Sequence, residues 1–129
     1  MARIQTVKDL RVWQSAMDVA MEVFEHSRRF PIEERFSLTD QIRRASRSVA
    51  ANISEAWRKR RYPAAFIAKL SDAEAEAAET QTWIELALRC GYLTPEQAAT
   101  LDRHCDEILA QLVHMITHPK DWTLPDPRP

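Results

Sequence analysis

Residues 38–62 read LTDQIRRASRSVAANISEAWRKRRY, and the apolar positions of this stretch decide the fold. Leu38, Ile42, Ala45, Val49, Ile53 and Ala56/Trp57 recur at steps of three and four. That spacing lines one face of an α-helix and leaves the charged residues on the other. Ser37 or Thr39 offers the side-chain oxygen of an N-cap. Upstream, Leu10, Trp13, Met17, Ala20/Met21 and Phe24 repeat the pattern, and Pro31 bars its continuation. Downstream, Pro63 suits a first helical turn, and Phe66, Leu70, Ala73, Ala77, Thr80, Ile84 and Ala87/Leu88 carry the stripe to a stop at Gly91. A fourth run opens with Thr94 as cap, Pro95 at the first helical position and Gln97 closing a capping box. It continues through Ala98, Leu101, Cys105, Ile108, Leu112 and Met115.

These stripes predict helices over about 9–28, 39–60, 63–90 and 94–117, within a bundle spanning residues 1–118. The links between them are short, which favours antiparallel neighbours. The predicted fold is an all-α, up-down-up-down four-helix bundle. The four prolines of residues 119–129 predict an extended tail. Its Trp122 and Leu124 have two open destinations, docking on a protein surface or staying free.

A chain of 129 residues is one domain, large enough to bury about two-thirds of its unfolded surface. Its single glycine excludes phosphate-binding loops, which need glycines where backbone approaches phosphate. It also argues against a fold of many tight hairpins. The sequence lacks a long apolar run and a signal-peptide core, so a soluble, cytoplasmic protein with no membrane partner is expected.

Catalytic and metal chemistry find little support. Di-iron bundles use Glu-x-x-His pairs, yet Val23, Leu101, Gln111 and Met115 stand three residues before His26, His104, His114 and His118. His114 and His118 lie one turn apart without an evident third ligand. Cys90 sits near a predicted turn and Cys105 far up the next helix, too distant for a disulfide and consistent with reduced thiols. No nucleophile–base–acid set stands out, so the expected protein is not an enzyme and has no cofactor. Ser46, Ser48, Asn52 and Glu55 form a polar constellation in the second run, where Asn52 and Glu55 share a helix face near the apolar stripe. They predict a polar layer that fixes helix register, or alternatively the wall of a small pocket.

Charge is where the sequence departs from a bland bundle. The net charge is −1, yet residues 43–61 hold Arg43, Arg44, Arg47, Arg58, Lys59, Arg60 and Arg61 against Glu55 alone. Part of the 58–61 cluster answers the helix dipole, but that does not require four consecutive cations. Phosphate backbones favour such clusters, and Trp57 or Tyr62 could stack on unpaired bases. Asp72, Glu76 and Glu79 of the third run offer a competing destination for the arginines, in the same chain or in another copy. Opposite charges on different sides of one subunit suit head-to-tail association, which closes into rings.

Four motifs carry a family likeness. They are Leu10-x-Val12-Trp13-Gln14-x-x-Met17, the run from Phe30-Pro31 through Phe36-Ser37-Leu38-Thr39 to Ile42-Arg43-Arg44-Ala45, then Ser48-Val49-x-x-Asn52-Ile53-x-Glu55, and Cys90-Gly91-Tyr92-Leu93. Together they resemble the four helix bundle protein family, which includes proteins encoded in intervening sequences of bacterial 23S ribosomal RNA genes. The chain is also similar to the accessory variability protein of diversity-generating retroelements. The resemblance covers roughly residues 8–117. It implies a homopentameric ring and nucleic-acid binding through a basic surface, here Arg43, Arg44 and Arg47 with the 58–61 cluster beside them. In the retroelement branch it implies a reverse transcriptase as partner. The chain differs from the usual Asn-Ile-Ala-Glu-Gly at Ser54 and Ala56, and it carries Ala75-Glu76 where many members have Gly-Ser.

The expectation is therefore a non-enzymatic, ring-forming bundle that binds RNA or DNA electrostatically. The alternative is a protein-interaction scaffold without a nucleic-acid ligand, whose helix-two arginines form subunit contacts.

Overall fold

A computed structural model describes residues 4–125. It contains four helices: α1 (Arg11–Ser27), α2 (Leu38–Arg58), α3 (Pro63–Arg89) and α4 (Pro95–Thr117). Short 3-10 turns at Val7–Asp9, Ile32–Glu34 and Pro119–Asp121 accompany them, and there is no strand among the described residues. Each helix packs on two others: α1 and α3 both contact α2 and α4. One continuous core fills the space between them.

The ends follow local chemistry. Thr94 Oγ1 accepts from the Gln97 amide at 3.1 Å, Gln97 Oε1 accepts from the Thr94 amide at 3.0 Å, and Pro95 opens α4. Gly91 has φ +80°, the left-handed conformation that closes a helix C-terminus, and the Tyr92 amide donates back to the Ala87 carbonyl at 2.9 Å. At α2 the N-cap is Ser37, but its hydroxyl donates to Glu34 Oε1 at 2.6 Å instead of capping the helix. Glu34 itself takes up the free Leu38 amide at 3.2 Å. Ahead of α1, Thr6 and Asp9 form a capping box around the Val7–Asp9 turn.

The stripes read for α3 and α4 are the buried faces of those helices, apart from half-buried Leu88. The α2 stripe is likewise buried, and Thr39, Ser46 and Ala50 join it. In α1 the spacing misplaces the face. Val12, Ala16, Val19, Val23 and Ser27 point into the core, whereas Met17 and Met21 are exposed. Two apolar stripes run side by side along α1, offset by one residue, and period alone does not rank them. The buried α1 face carries only valine, alanine and serine, and the longer methionines are left outside.

The tail also departs from the extended form. Pro119–Asp121 makes a 3-10 turn, the Trp122 ring packs against the core, and the Leu124 amide donates to the Arg60 carbonyl at 3.0 Å. The end of the predicted tail, residues 126–129, lies outside the described residues.

Candidate nucleic-acid interface

The seven cations of residues 43–61 do not behave as one set. Arg43 is half-buried: its Nε donates to Ser27 Oγ at 2.8 Å, and its guanidinium lies 5.0 Å from the centre of the Phe24 ring. This side chain fastens α2 to α1. Arg44 is exposed and meets Asp40, one turn earlier, at 3.8 Å, a loose surface contact of small energetic value. Arg47 is exposed and has no ion pair among the described residues.

The 58–61 cluster divides similarly. The Arg60 guanidinium sits over the Trp57 ring, 3.5 Å from its centre, and its Nε donates to the Trp57 carbonyl at 2.8 Å. Partial burial, and then the neighbouring Arg58 charge, hold its pKa below the ordinary arginine value. Trp57 is only 7% exposed, with this guanidinium as its cover. The expectation that Trp57 stacks on a base is thereby corrected: an indole that closes the core cannot also receive an unpaired base. Tyr62 is 61% exposed and keeps its face free. Arg58, Lys59 and Arg61 are exposed and without an ion pair among the described residues.

The acids of α3 do not neutralise these cations. Asp72 faces Lys69 on its own helix at 3.8 Å. Partial burial raises the pKa of Glu76, and the adjacent Glu79 raises it further. The ion pair that joins α2 to α3 runs the other way, from Glu55 to Lys69 Nζ at 3.1 Å.

Ser48, Asn52 and Glu55 do not form a layer either. Asn52 Nδ2 donates to the Ser48 carbonyl of its own helix at 2.9 Å, while Glu55 leaves for Lys69. Short helical spacing lets a polar side chain satisfy itself on its own backbone, an option the sequence does not display. Of that polar set only Ser46 is buried, and Ser27, Thr39 and Thr80 are the other buried polar residues. Both cysteines are free, Cys90 exposed and Cys105 buried; burial pushes the Cys105 thiol up to about 12.

Apolar periodicity misses the connection between α1 and α2. There Ile32 is 79% and Phe36 83% exposed, with the Arg35 guanidinium 4.5 Å from the Phe36 ring centre. A signal does exist in the sequence: large apolar residues in a linker belong to no core stripe.

The 23S rRNA-intervening sequence protein model matches residues 8–114. The chain belongs to that family. The chain is 33% identical to a solved structure, a protein with unknown function from the S23 ribosomal protein family of Bacteroides thetaiotaomicron VPI-5482. The two superpose with a TM-score of 0.74 over 81% of this chain and 97% of that one. Comparison with curated proteins finds no match. Among the described residues of this family member, no helix is long and apolar enough to cross a membrane, and no three His, Cys, Asp or Glu side chains group to hold a metal ion.

Proposed function

We propose that this protein is a non-enzymatic, self-associating helical bundle that binds RNA or DNA through its α2 cations. Arg47, Arg58, Lys59 and Arg61 contact phosphate, Arg44 joins them by releasing Asp40, and exposed Tyr62 stacks on an unpaired base. Arg43 and Arg60 hold the surface in shape from beneath. The observation that carries this reading is that four exposed cations on one helix and the turn after it have no carboxylate partner among the described residues. An uncompensated cluster of this kind is an electrostatic footprint for a polyanion.

The helices run up-down-up-down in this reading. The Trp13–Ser54 hydrogen bond at 3.0 Å and the Arg43–Ser27 bond at 2.8 Å support it, since the start of α1 meets the end of α2 and the end of α1 meets its start. Association into a closed ring, of five copies by resemblance, draws support from the apolar surface left exposed at Met17, Met21, Ile32 and Phe36.

Fluorescence anisotropy with labelled single-stranded RNA and duplex DNA across a salt series tests the reading. Five phosphate contacts give a slope of log K against log salt of about −3.5 to −4.5. Absence of affinity at low salt overturns it. The exposed apolar residues favour a second reading, in which α2 arginines serve subunit contacts alone. Arg47→Glu separates the two: an intact oligomer by light scattering with abolished nucleic-acid binding supports the first, and dissociation supports the second.

A further inference from the structure

An apolar cavity of about 410 Å³ opens where the segment before α1, the last turns of α4 and the docked tail meet. Leu10, Val12 and Met115 form its buried floor, Trp122 and Ala110 its sides, and Arg11 its charged rim. Its size falls in the range of small-molecule sites, and its lining is almost wholly apolar.

The surroundings of the cavity are selective for charge. Arg11 lines the cavity, is exposed and has no ion pair among the described residues. Arg11 also opens α1, whose N-cap Leu10 offers no side-chain acceptor and whose first turn holds no acid. On the far side the tail links the cavity to the basic turn after α2, with Trp122 in the wall and the Leu124 amide on the Arg60 carbonyl. The Gln5 and Thr6 amides donate to Asp9 Oδ2 at 2.8 and 3.0 Å, and Asp9 makes no ion pair with Arg11. An apolar interior beside uncompensated positive charge matches a molecule with a hydrocarbon tail and a single anionic head.

We propose that this cavity binds a free medium-chain monocarboxylate, with its alkyl tail against Leu10, Val12, Met115 and Trp122 and its carboxylate at Arg11. This inference does not depend on nucleic-acid binding by the α2 cations.

Isothermal titration of the full chain with decanoate, below its micelle concentration, tests the proposal. Saturable binding of one decanoate per chain is expected, with octanoate weaker by about fifteen-fold for its two missing methylenes. Decanol, which keeps the tail and lacks the charge, should bind at least five-fold more weakly, and Arg11→Gln should erase that difference without altering decanol affinity. Ala110→Trp, at an exposed wall position, should abolish binding of both while circular dichroism reports an unchanged fold. The proposal is overturned if decanoate does not saturate, if Ala110→Trp leaves its affinity intact, or if decanol and decanoate bind alike. It also falls if Ala110→Trp changes the mass by light scattering, which would make a second copy the occupant. Sedimentation with phosphatidylglycerol vesicles in the absence of decanoate binding would assign the site to a membrane surface instead.

Discussion

Tyr92 Oη donates to Glu34 Oε2 at 2.9 Å, joining two connections that lie 58 residues apart in sequence. The Phe30 and Tyr92 rings meet beside it with centroids 5.5 Å apart. Glu34 also receives the Ser37 hydroxyl and the Leu38 amide, so one carboxylate organises the start of α2 and ties it to the turn before α4.

This arrangement makes stability depend on pH at both extremes. Hydrogen bonds, from Ser37 first and Tyr92 next, lower the pKa of Glu34. Its contribution is therefore present above the ordinary carboxylate pKa and is lost as pH falls through the lowered folded value. The hydrogen bond to Glu34 pushes Tyr92 up to about 12. Its contribution is present below the ordinary tyrosine value near 10 and is lost as pH rises through about 12. Tyr92→Phe should lower the thermal midpoint at neutral pH and remove the alkaline limb. The acid limb should weaken without vanishing, because Ser37 still holds Glu34. Melting by circular dichroism from pH 3 to 12 checks both limbs.

The cations of the α2 end should separate by role. Arg60→Ala removes a guanidinium stacked on Trp57 and should cost about 1 kcal/mol of stability in urea unfolding. The salt slope of nucleic-acid binding should stay unchanged. Replacing Arg58, Lys59 and Arg61 together by Gln should do the reverse, leaving stability within about 0.5 kcal/mol. In that variant the slope should shrink by about 0.7–0.9 for every phosphate no longer neutralised.

Thr39 Oγ1 is buried and has no hydrogen-bond partner. Thr39→Val keeps the shape and the β-branch while removing an unsatisfied hydroxyl, and should stabilise the protein by about 1 kcal/mol. A higher urea midpoint at unchanged m-value is the expected result; destabilisation would show that the hydroxyl has a partner in solution.

Gly91→Ala probes backbone conformation separately from space. A Cβ at this position would meet nothing within 4 Å, yet φ is +80°. The cost should be about 1 kcal/mol, from the left-handed backbone alone. Chemical denaturation of the single variant measures it.

The register of α1 has its own test. Val23, 1% exposed, should cost about 1–3 kcal/mol of stability on replacement by Ala. Met21, 54% exposed, should cost no more than about 0.5 kcal/mol. The opposite order would restore the face that spacing alone suggests.

Three of the four helices and their buried faces are legible in the sequence, because one apolar stripe dominates each. In α4 every stripe residue from Ala98 to Met115 is buried, and the Thr94–Gln97 capping box stands as read. Such features depend on residues three or four positions apart, which local backbone geometry brings together whatever the rest of the chain does. The α1 face is not legible, since Val19 and Ala20 both head plausible stripes and only the positions of α2 and α4 choose between them. The candidate interface is legible as a set of cations but not as a surface. Covalent spacing says nothing about whether a flexible guanidinium folds back on Trp57, reaches across to Ser27 or stays in water. Arg60 folds back on Trp57 three residues earlier, whereas tertiary packing decided that Arg43 is engaged at Ser27 and that Arg47, Arg58, Lys59 and Arg61 are left to meet something else. The reason is physical: a helix is specified by near neighbours, whereas the fate of a long charged side chain is set by whichever distant surface arrives beside it.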